Sequence, residues 1–190
     1  ATVSSLEPPP VSFVNMTPST LTEGGPSPIA VVLGGVSGSG KSTIGASLAA
    51  ALGVAFVDGD DLHPAANVAK MAAGHPLDDA DRAPWLDIVG ARLAEGSIVI
   101  ACSALRVRYR DRLRSLAPDV RILLLEVPRA TLERRMTQRP GHFMPPALLD
   151  SQLAALEPAA PGEQLDVLDG TAPEADVVDT ALRILARLPN

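Results

Sequence analysis

The rhythm of apolar positions changes at Ile29. Beyond it, short unbroken apolar runs alternate with longer stretches in which apolar residues recur every three or four positions. This is the pattern of strands buried on both faces and helices buried on one. Ile29-Ala-Val-Val-Leu33 is such a run and predicts a central parallel strand. Lys41 to Leu52 sets Ile44, Leu48 and Leu52 one turn apart and meets Gly53, which predicts a helix and its stop. Further strands are expected at Val54–Val57, ending at Asp58, and at Ser97–Cys102, Val120–Val127 and Leu165–Leu168. Further helices are expected at Ala83–Ala94, with Pro84 near its start, and at Val107–Leu116, Ala130–Gln138, Pro145–Leu156 and Glu174–Leu188. Five strands with intervening helices predict an α/β fold: a five-stranded parallel sheet with helices on both faces, in three layers. No internal repeat is visible.

Residues 1–28 have no such period. They hold Pro8, Pro9, Pro10, Pro18, Pro26 and Pro28, many Ser and Thr, two Glu and no basic residue, so a disordered Pro-rich tail is expected there. Met16 is an internal candidate start. Residues 29–190 are then one domain, long enough for a full core. No apolar run approaches the roughly 20 residues that span a bilayer, and the N-terminus lacks a basic start and apolar core like those of a secretory leader. The one cysteine, Cys102, lies in an apolar run and has no internal partner. A cytoplasmic protein with a buried, reduced thiol is the expectation.

The 190 residues carry 16 basic and 22 acidic side chains, a net charge of −6. Between Arg106 and Arg139, however, ten Arg face only Asp111, Asp119, Glu126 and Glu133. An acidic whole argues against a general nucleic-acid or membrane-surface binder, while the cationic block leaves room for a small anionic ligand.

The chemistry begins at Gly35-Val36-Ser37-Gly38-Ser39-Gly40-Lys41-Ser42, which meets every fixed position of G-x-x-x-x-G-K-[ST] between a predicted strand and a predicted helix. The glycines let successive backbone N–H groups face a phosphate chain at a helix N-terminus. Lys41 is expected at the β- and γ-phosphates and Ser42 at Mg²⁺. Only two lysines occur in the chain, and one stands here. No N-K-x-D guanine-reading motif is present, and the strand Ile98–Cys102 ends without the usual Walker B aspartate.

Acidic groups come instead from Asp58-Gly-Asp60-Asp61-Leu-His63-Pro64, at the C-terminal end of a parallel strand, where open α/β sheets bind ligands. One of Asp58 and Asp60 can hold a water of the Mg²⁺ shell while the other accepts a proton from an attacking hydroxyl. His63 is either a ligand beside these carboxylates or a packed histidine. Arg82, after Asp78-Asp79-Ala80-Asp81, can bind an acceptor carboxylate as a bidentate fork or serve a surface helix cap.

Together with Asn67, Lys70-Met71, Gly74-x-Pro-Leu-x-Asp-x-Asp-Arg82, Pro84-Trp85-Leu86, Cys102-Ser-Ala-Leu105, Tyr109-Arg-Asp111 and Gly141-His-Phe143, these motifs resemble bacterial gluconokinases over nearly all of the chain from Ile29. The resemblance implies a P-loop kinase of the shikimate-kinase-like type that uses ATP and Mg²⁺ to phosphorylate the 6-hydroxyl of D-gluconate, with a homodimer as its assembly. It puts the nucleotide at Gly35 to Thr43, gluconate near Asp60, His63 and Arg82, the base at Asp60 and the metal at Ser42 and Asp58. Arg106 matches a basic position of the family and joins the acceptor residues, as does His142. Glu133 to Phe143 resembles the lid of these kinases, about residues 134–146, with Arg135 and Arg139 on one helical face to neutralise phosphoryl charge and exclude water. Arg108, Arg112, Arg114 and Arg134 are expected in solvent. Two other readings share the phosphate loop: a kinase for another small acceptor, such as shikimate or adenylyl sulfate, and a nucleotide-binding module without catalysis.

Overall fold

A computed structural model describes residues 28–138 and 146–187. The tail residues 1–27, the positions of Arg139 and His142, most of the predicted lid and Leu188 lie outside the described residues. Five parallel strands, β1 (Ala30–Gly34), β2 (Ala55–Asp58), β3 (Ile98–Ala101), β4 (Arg121–Glu126) and β5 (Leu165–Asp169), form one sheet in the order β2-β3-β1-β4-β5. The registers are set by pairs such as Val32 with Ile100 and Ile122.

The helices are α1 (Lys41–Leu52), α2 (Ala65–Ala72), α3 (Asp79–Ala94), α4 (Val107–Leu116), α5 (Arg129–Thr137), α6 (Pro146–Ala155) and α7 (Glu174–Leu185). Strand alternation divides the core between them. Val32, Ile98, Ile100 and Ile122 face α3 and α4, where Trp85, Val89 and Leu113 cover them. Val31, Leu33, Val99, Leu123 and Leu125 face α1 and α7, packing on Leu48, Val177 and Ala181. A smaller cluster of Val36, Leu105, Val127, Leu132 and Leu149 lies beneath α5 and α6. The predicted three-layer α/β architecture is thus present, and Gly53 ends α1 in the left-handed conformation (φ 68°).

Two local expectations are corrected. Helix α3 begins at Asp79 rather than Ala83, because Asp78 caps it: the Asp78 side chain accepts from the Asp81 N–H and the Asp81 side chain accepts from the Asp78 N–H. Pro84 therefore stands inside the helix. The segment between β2 and α3 also holds a 3₁₀ turn, Gly59–Leu62, and helix α2, neither of which the apolar period predicts.

Candidate active site

Strand β1 is the centre of the sheet, and strand order reverses there, so a crevice opens at its C-terminal end. The phosphate loop fills that position. Gly38 and Gly40 take φ of 80° and 96°, the left-handed region open to glycine at little cost. Lys41 is buried at the start of α1. Ser39 is fully buried, and its Oγ has no hydrogen-bond partner among the described residues.

On the β2 and β3 side, Ser42 Oγ donates to Asp58 Oδ2 at 2.6 Å, joining the loop to the end of β2. The other oxygen of Asp58 accepts from the Asp60 N–H at 3.1 Å and caps the 3₁₀ turn. This leaves Asp60 exposed at the head of the turn, its carboxylate without a hydrogen bond among the described residues. The turn lies hard against β3: a β-carbon on Gly59 would stand 2.7 Å from the Ala101 carbonyl and 2.8 Å from Cys102 Cβ, so only glycine fits. Lys41, Asp58 and Asp60 all act electrostatically on the buried Cys102 thiol, whose pKa burial pushes up to about 12. The thiol is inert, as its apolar setting predicts.

His63 stacks on Trp85 with ring centroids 4.5 Å apart, and the Trp85 indole donates to the Gly59 carbonyl at 2.7 Å. Burial holds the His63 pKa below its ordinary value, with Asp60 opposing and Arg82 reinforcing the shift, so the imidazole is neutral at neutral pH. Buried Asn67 donates its amide to the Asp81 carbonyl at 2.8 Å, and that same nitrogen lies 3.4 Å from His63 Nδ1. This assignment makes Nδ1 the acceptor and leaves Nε2–H as the donor. Lys70 bridges Asp78 and Asp81 behind it. Arg82 donates to the Leu77 carbonyl, and both Arg82 and Arg106 reach the ring of Tyr109. The predicted acceptor residues Asp60, His63, Arg82 and Arg106 therefore lie along one side of the crevice.

On the β4 and β5 side, a groove of about 560 Å³ is lined by Glu126, Val127, Pro128, Val167, Leu168, Asp169 and Thr171. Between groove and loop stands Arg135, donating to the Ser39 carbonyl at 3.2 Å and the Gly170 carbonyl at 2.8 Å. Helix α5 is thereby tied to the phosphate loop. Arg134 is exposed, as expected.

Two contacts around the candidate site escape the sequence reading. Gln152 of α6 accepts from the Ser37 N–H at 2.7 Å. Arg110, a member of the cationic block to which the sequence assigns no role, is fully buried: its guanidinium donates to Glu163 at 2.6 and 2.9 Å and to the Leu105 and Pro158 carbonyls at 3.0 and 3.1 Å. Arg114 also departs from expectation, donating to Glu163 at 2.9 Å. These bonds depress the Glu163 pKa to about 2. They brace the loop before α4, where Ala104 adopts φ of 34° just ahead of Arg106. Arg108 and Arg112 are about half exposed, and each pairs with an aspartate.

Among the described residues, no helix is long and apolar enough to cross a membrane. A family model described as an AAA domain matches residues 31–159. The thermosensitive gluconokinase of Escherichia coli K12 is 49% identical over 142 residues, covering 70% of this chain and 74% of that protein. The crystal structure of a gluconokinase from Sinorhizobium meliloti 1021 superposes with a TM-score of 0.78 at 45% identity, covering 84% of this chain and 93% of the other. A shikimate kinase structure from Bacteroides thetaiotaomicron, 20% identical with a TM-score of 0.62 over 83% of this chain and 98% of its own, shares the fold. With the phosphate loop, the Asp58 to His63 turn and these identities in agreement, the chain belongs to the gluconokinase family.

Proposed function

We propose that the protein is an ATP-dependent gluconokinase, transferring the γ-phosphate of ATP to the 6-hydroxyl of D-gluconate to give 6-phospho-D-gluconate and ADP. The observation that carries this reading is the Ser42–Asp58 hydrogen bond, which brings the phosphate loop and the acceptor turn within one contact of each other. The topology supports a division of labour: nucleoside over the β4–β5 groove, acceptor against the β2–β3 side, phosphates between them at β1.

The orphaned hydroxyl of Ser39 and the buried Lys41 suit an anionic occupant of the loop. The loop residues Gly35 to Thr43 bind the phosphates through backbone N–H groups and the Lys41 ammonium. Mg²⁺ takes few protein oxygens and keeps several waters. A hydroxyl and one carboxylate fit that demand, and the described residues hold no cluster of three His, Cys, Asp or Glu that would suit a fully protein-bound ion. Ser42 and Asp58 would hold the ion, which supplies charge neutralisation on the phosphates when bound.

Asp60, exposed and without a partner among the described residues, accepts the proton of the 6-hydroxyl as the hydroxyl oxygen forms the new bond to phosphorus and the bond to ADP breaks. Neutral His63 offers Nε2–H to a hydroxyl of the acceptor, while Arg82 and Arg106 supply cations for its carboxylate. Arg135 positions the loop through Ser39. Arg139 and His142 complete the proposed catalytic and acceptor sets. A cytoplasmic homodimer without nucleic-acid partners belongs to the same reading.

A coupled ADP-release assay comparing D-gluconate, shikimate and adenylyl sulfate at fixed ATP and Mg²⁺ tests it. Gluconate-dependent release is expected. Turnover of either other acceptor with none of gluconate would assign a different kinase, and ATP binding without turnover would favour a binding module.

A further inference from the structure

Tyr109 is the only tyrosine of the chain and is 6% exposed. Three guanidinium carbons surround its ring: Arg108 at 5.6 Å from the centroid, Arg82 at 5.8 Å and Arg106 at 5.9 Å. They come from two helices and one loop, so the ring is their common support. Its hydroxyl donates to Asp79, and Asp79 also pairs with Arg108 and lies 3.7 Å from Arg106. Three cations meet one carboxylate here. Of the other nearby acids, Asp78 and Asp81 are engaged by Lys70, and Asp60 acts on His63. At the ring itself, three guanidinium groups against the single Asp79 carboxylate leave a local positive surplus, and Arg82 couples electrostatically to His63. Such a surplus, held on an aromatic face within about 6 Å, is a ready receptor for one more carboxylate.

We propose that Tyr109 is the positioning residue for acceptor specificity: its ring gathers Arg82, Arg106 and Arg108 into one cationic wall that reads the acceptor's carboxylate, and Asp79 is the internal counter-anion that keeps the wall in place. The proposal rests on the gluconokinase reading and deepens it. It adds Arg108 to the acceptor side. It also explains why Arg82 and Arg106, 24 positions apart in the sequence, point to one place. The hydrogen bond to Asp79 orients the ring, and both partners shift in the sense that keeps the proton on the donor: Asp79 is held below the ordinary carboxylate range chiefly by this bond, and the Tyr109 hydroxyl is raised by burial and by Asp79.

Steady-state kinetics of the full chain with D-gluconate and ATP test it in wild type, Tyr109→Phe, Tyr109→Leu and Arg108→Gln. Tyr109→Leu removes the platform, and the KM for gluconate is expected to rise about tenfold while kcat and the KM for ATP stay within about threefold of wild type. Tyr109→Phe keeps the ring and restores most of the loss. Arg108→Gln, a half-exposed change that leaves the core untouched, raises the KM for gluconate about threefold and guards against misfolding as the cause. An unchanged KM for gluconate in both Tyr109→Leu and Arg108→Gln overturns the proposal, as does an equal loss in Tyr109→Phe and Tyr109→Leu. Wild type without gluconate turnover would instead overturn the functional reading, and the proposal with it.

Discussion

The two sides of the crevice are built by opposite means. The phosphate side is one unbroken stretch, Gly35 to Ser42, whose chemistry resides mainly in backbone N–H groups and depends on glycines at positive φ. The proposed acceptor side is assembled from side chains of three separate stretches, Asp58 to His63, Asp79 to Trp85 and Arg106 to Arg110, with Glu157 to Glu163 folded behind them. A contiguous backbone site needs only its own turn to be correct. An assembled wall needs a buried brace, and Arg110 is that brace. Lesions on the phosphate side should therefore remove turnover and spare the fold, whereas lesions behind the acceptor wall should strike the fold first.

The largest effect expected tests the first half of that contrast. Lys41→Met keeps the length of a buried side chain and removes its charge, so kcat should fall roughly 10²- to 10³-fold or more. The melting temperature should stay within a few degrees of wild type. Loss of the folded state in this variant, read by thermal melting, would break the comparison at its stronger end.

Arg110→Ala tests the second half. Removing one member of a buried, hydrogen-bonded ion pair costs roughly 3–5 kcal/mol, and Glu163 would be left with Arg114 and the Ala160 N–H. Denaturant unfolding should report this loss, with activity falling as the β3–α4 loop loosens. The same pair gives the molecule a pH signature. The Glu163 pKa lies at about 2 when folded, against an ordinary 4.5, because Arg110 favours the charged form. A depressed folded pKa adds stability that is complete above the ordinary value and drains away as pH falls from 4.5 towards 2. Glu163→Gln should flatten the stability curve in that window, whereas Lys41→Met should run parallel to wild type. Parallel curves for all three proteins would remove Glu163 from the account.

The contrast also explains what could be read before any coordinates. The phosphate loop, helix α1 and its Gly53 stop are legible because each is specified within a dozen residues or so. The five strands are legible because all but the edge strands are unbroken apolar runs. Helix α2 is not, since Ala65 to Ala72 is only eight residues long and buries only Asn67. The true start of α3 had a readable signal in Asp78-Asp79-Ala80-Asp81, an acidic capping box, but Pro84 is the more conspicuous start mark and outweighs it. Arg110 and Arg114 were indistinguishable from their solvated neighbours, because nothing local announces that residues 157–163 fold back over them. Asp60, His63, Arg82 and Arg106 were brought together by family resemblance, and Tyr109, which supports the two arginines, went without a role.

The smallest effect tests whether the phosphate side is as self-contained as its sequence suggests. Besides Asp58 and Arg135, another side chain reaches it from outside: Gln152 accepts from the Ser37 N–H at 2.7 Å across 115 positions of sequence. Gln152→Leu removes the acceptor. A net hydrogen bond of this kind contributes about 0.5–1.5 kcal/mol, so activity should fall only about two- to tenfold. Gln152→Glu is the more informative change, because it keeps an acceptor for Ser37 and adds a negative charge beside the loop that receives phosphates. The KM for ATP should rise while the KM for gluconate holds. Had the two sides been coupled through α6, both constants would move together, since Glu157 just beyond that helix accepts from the Val107 N–H at 2.7 Å and so touches the brace of the acceptor wall. A rise confined to ATP would assign Gln152, like Arg135, to the phosphate side alone.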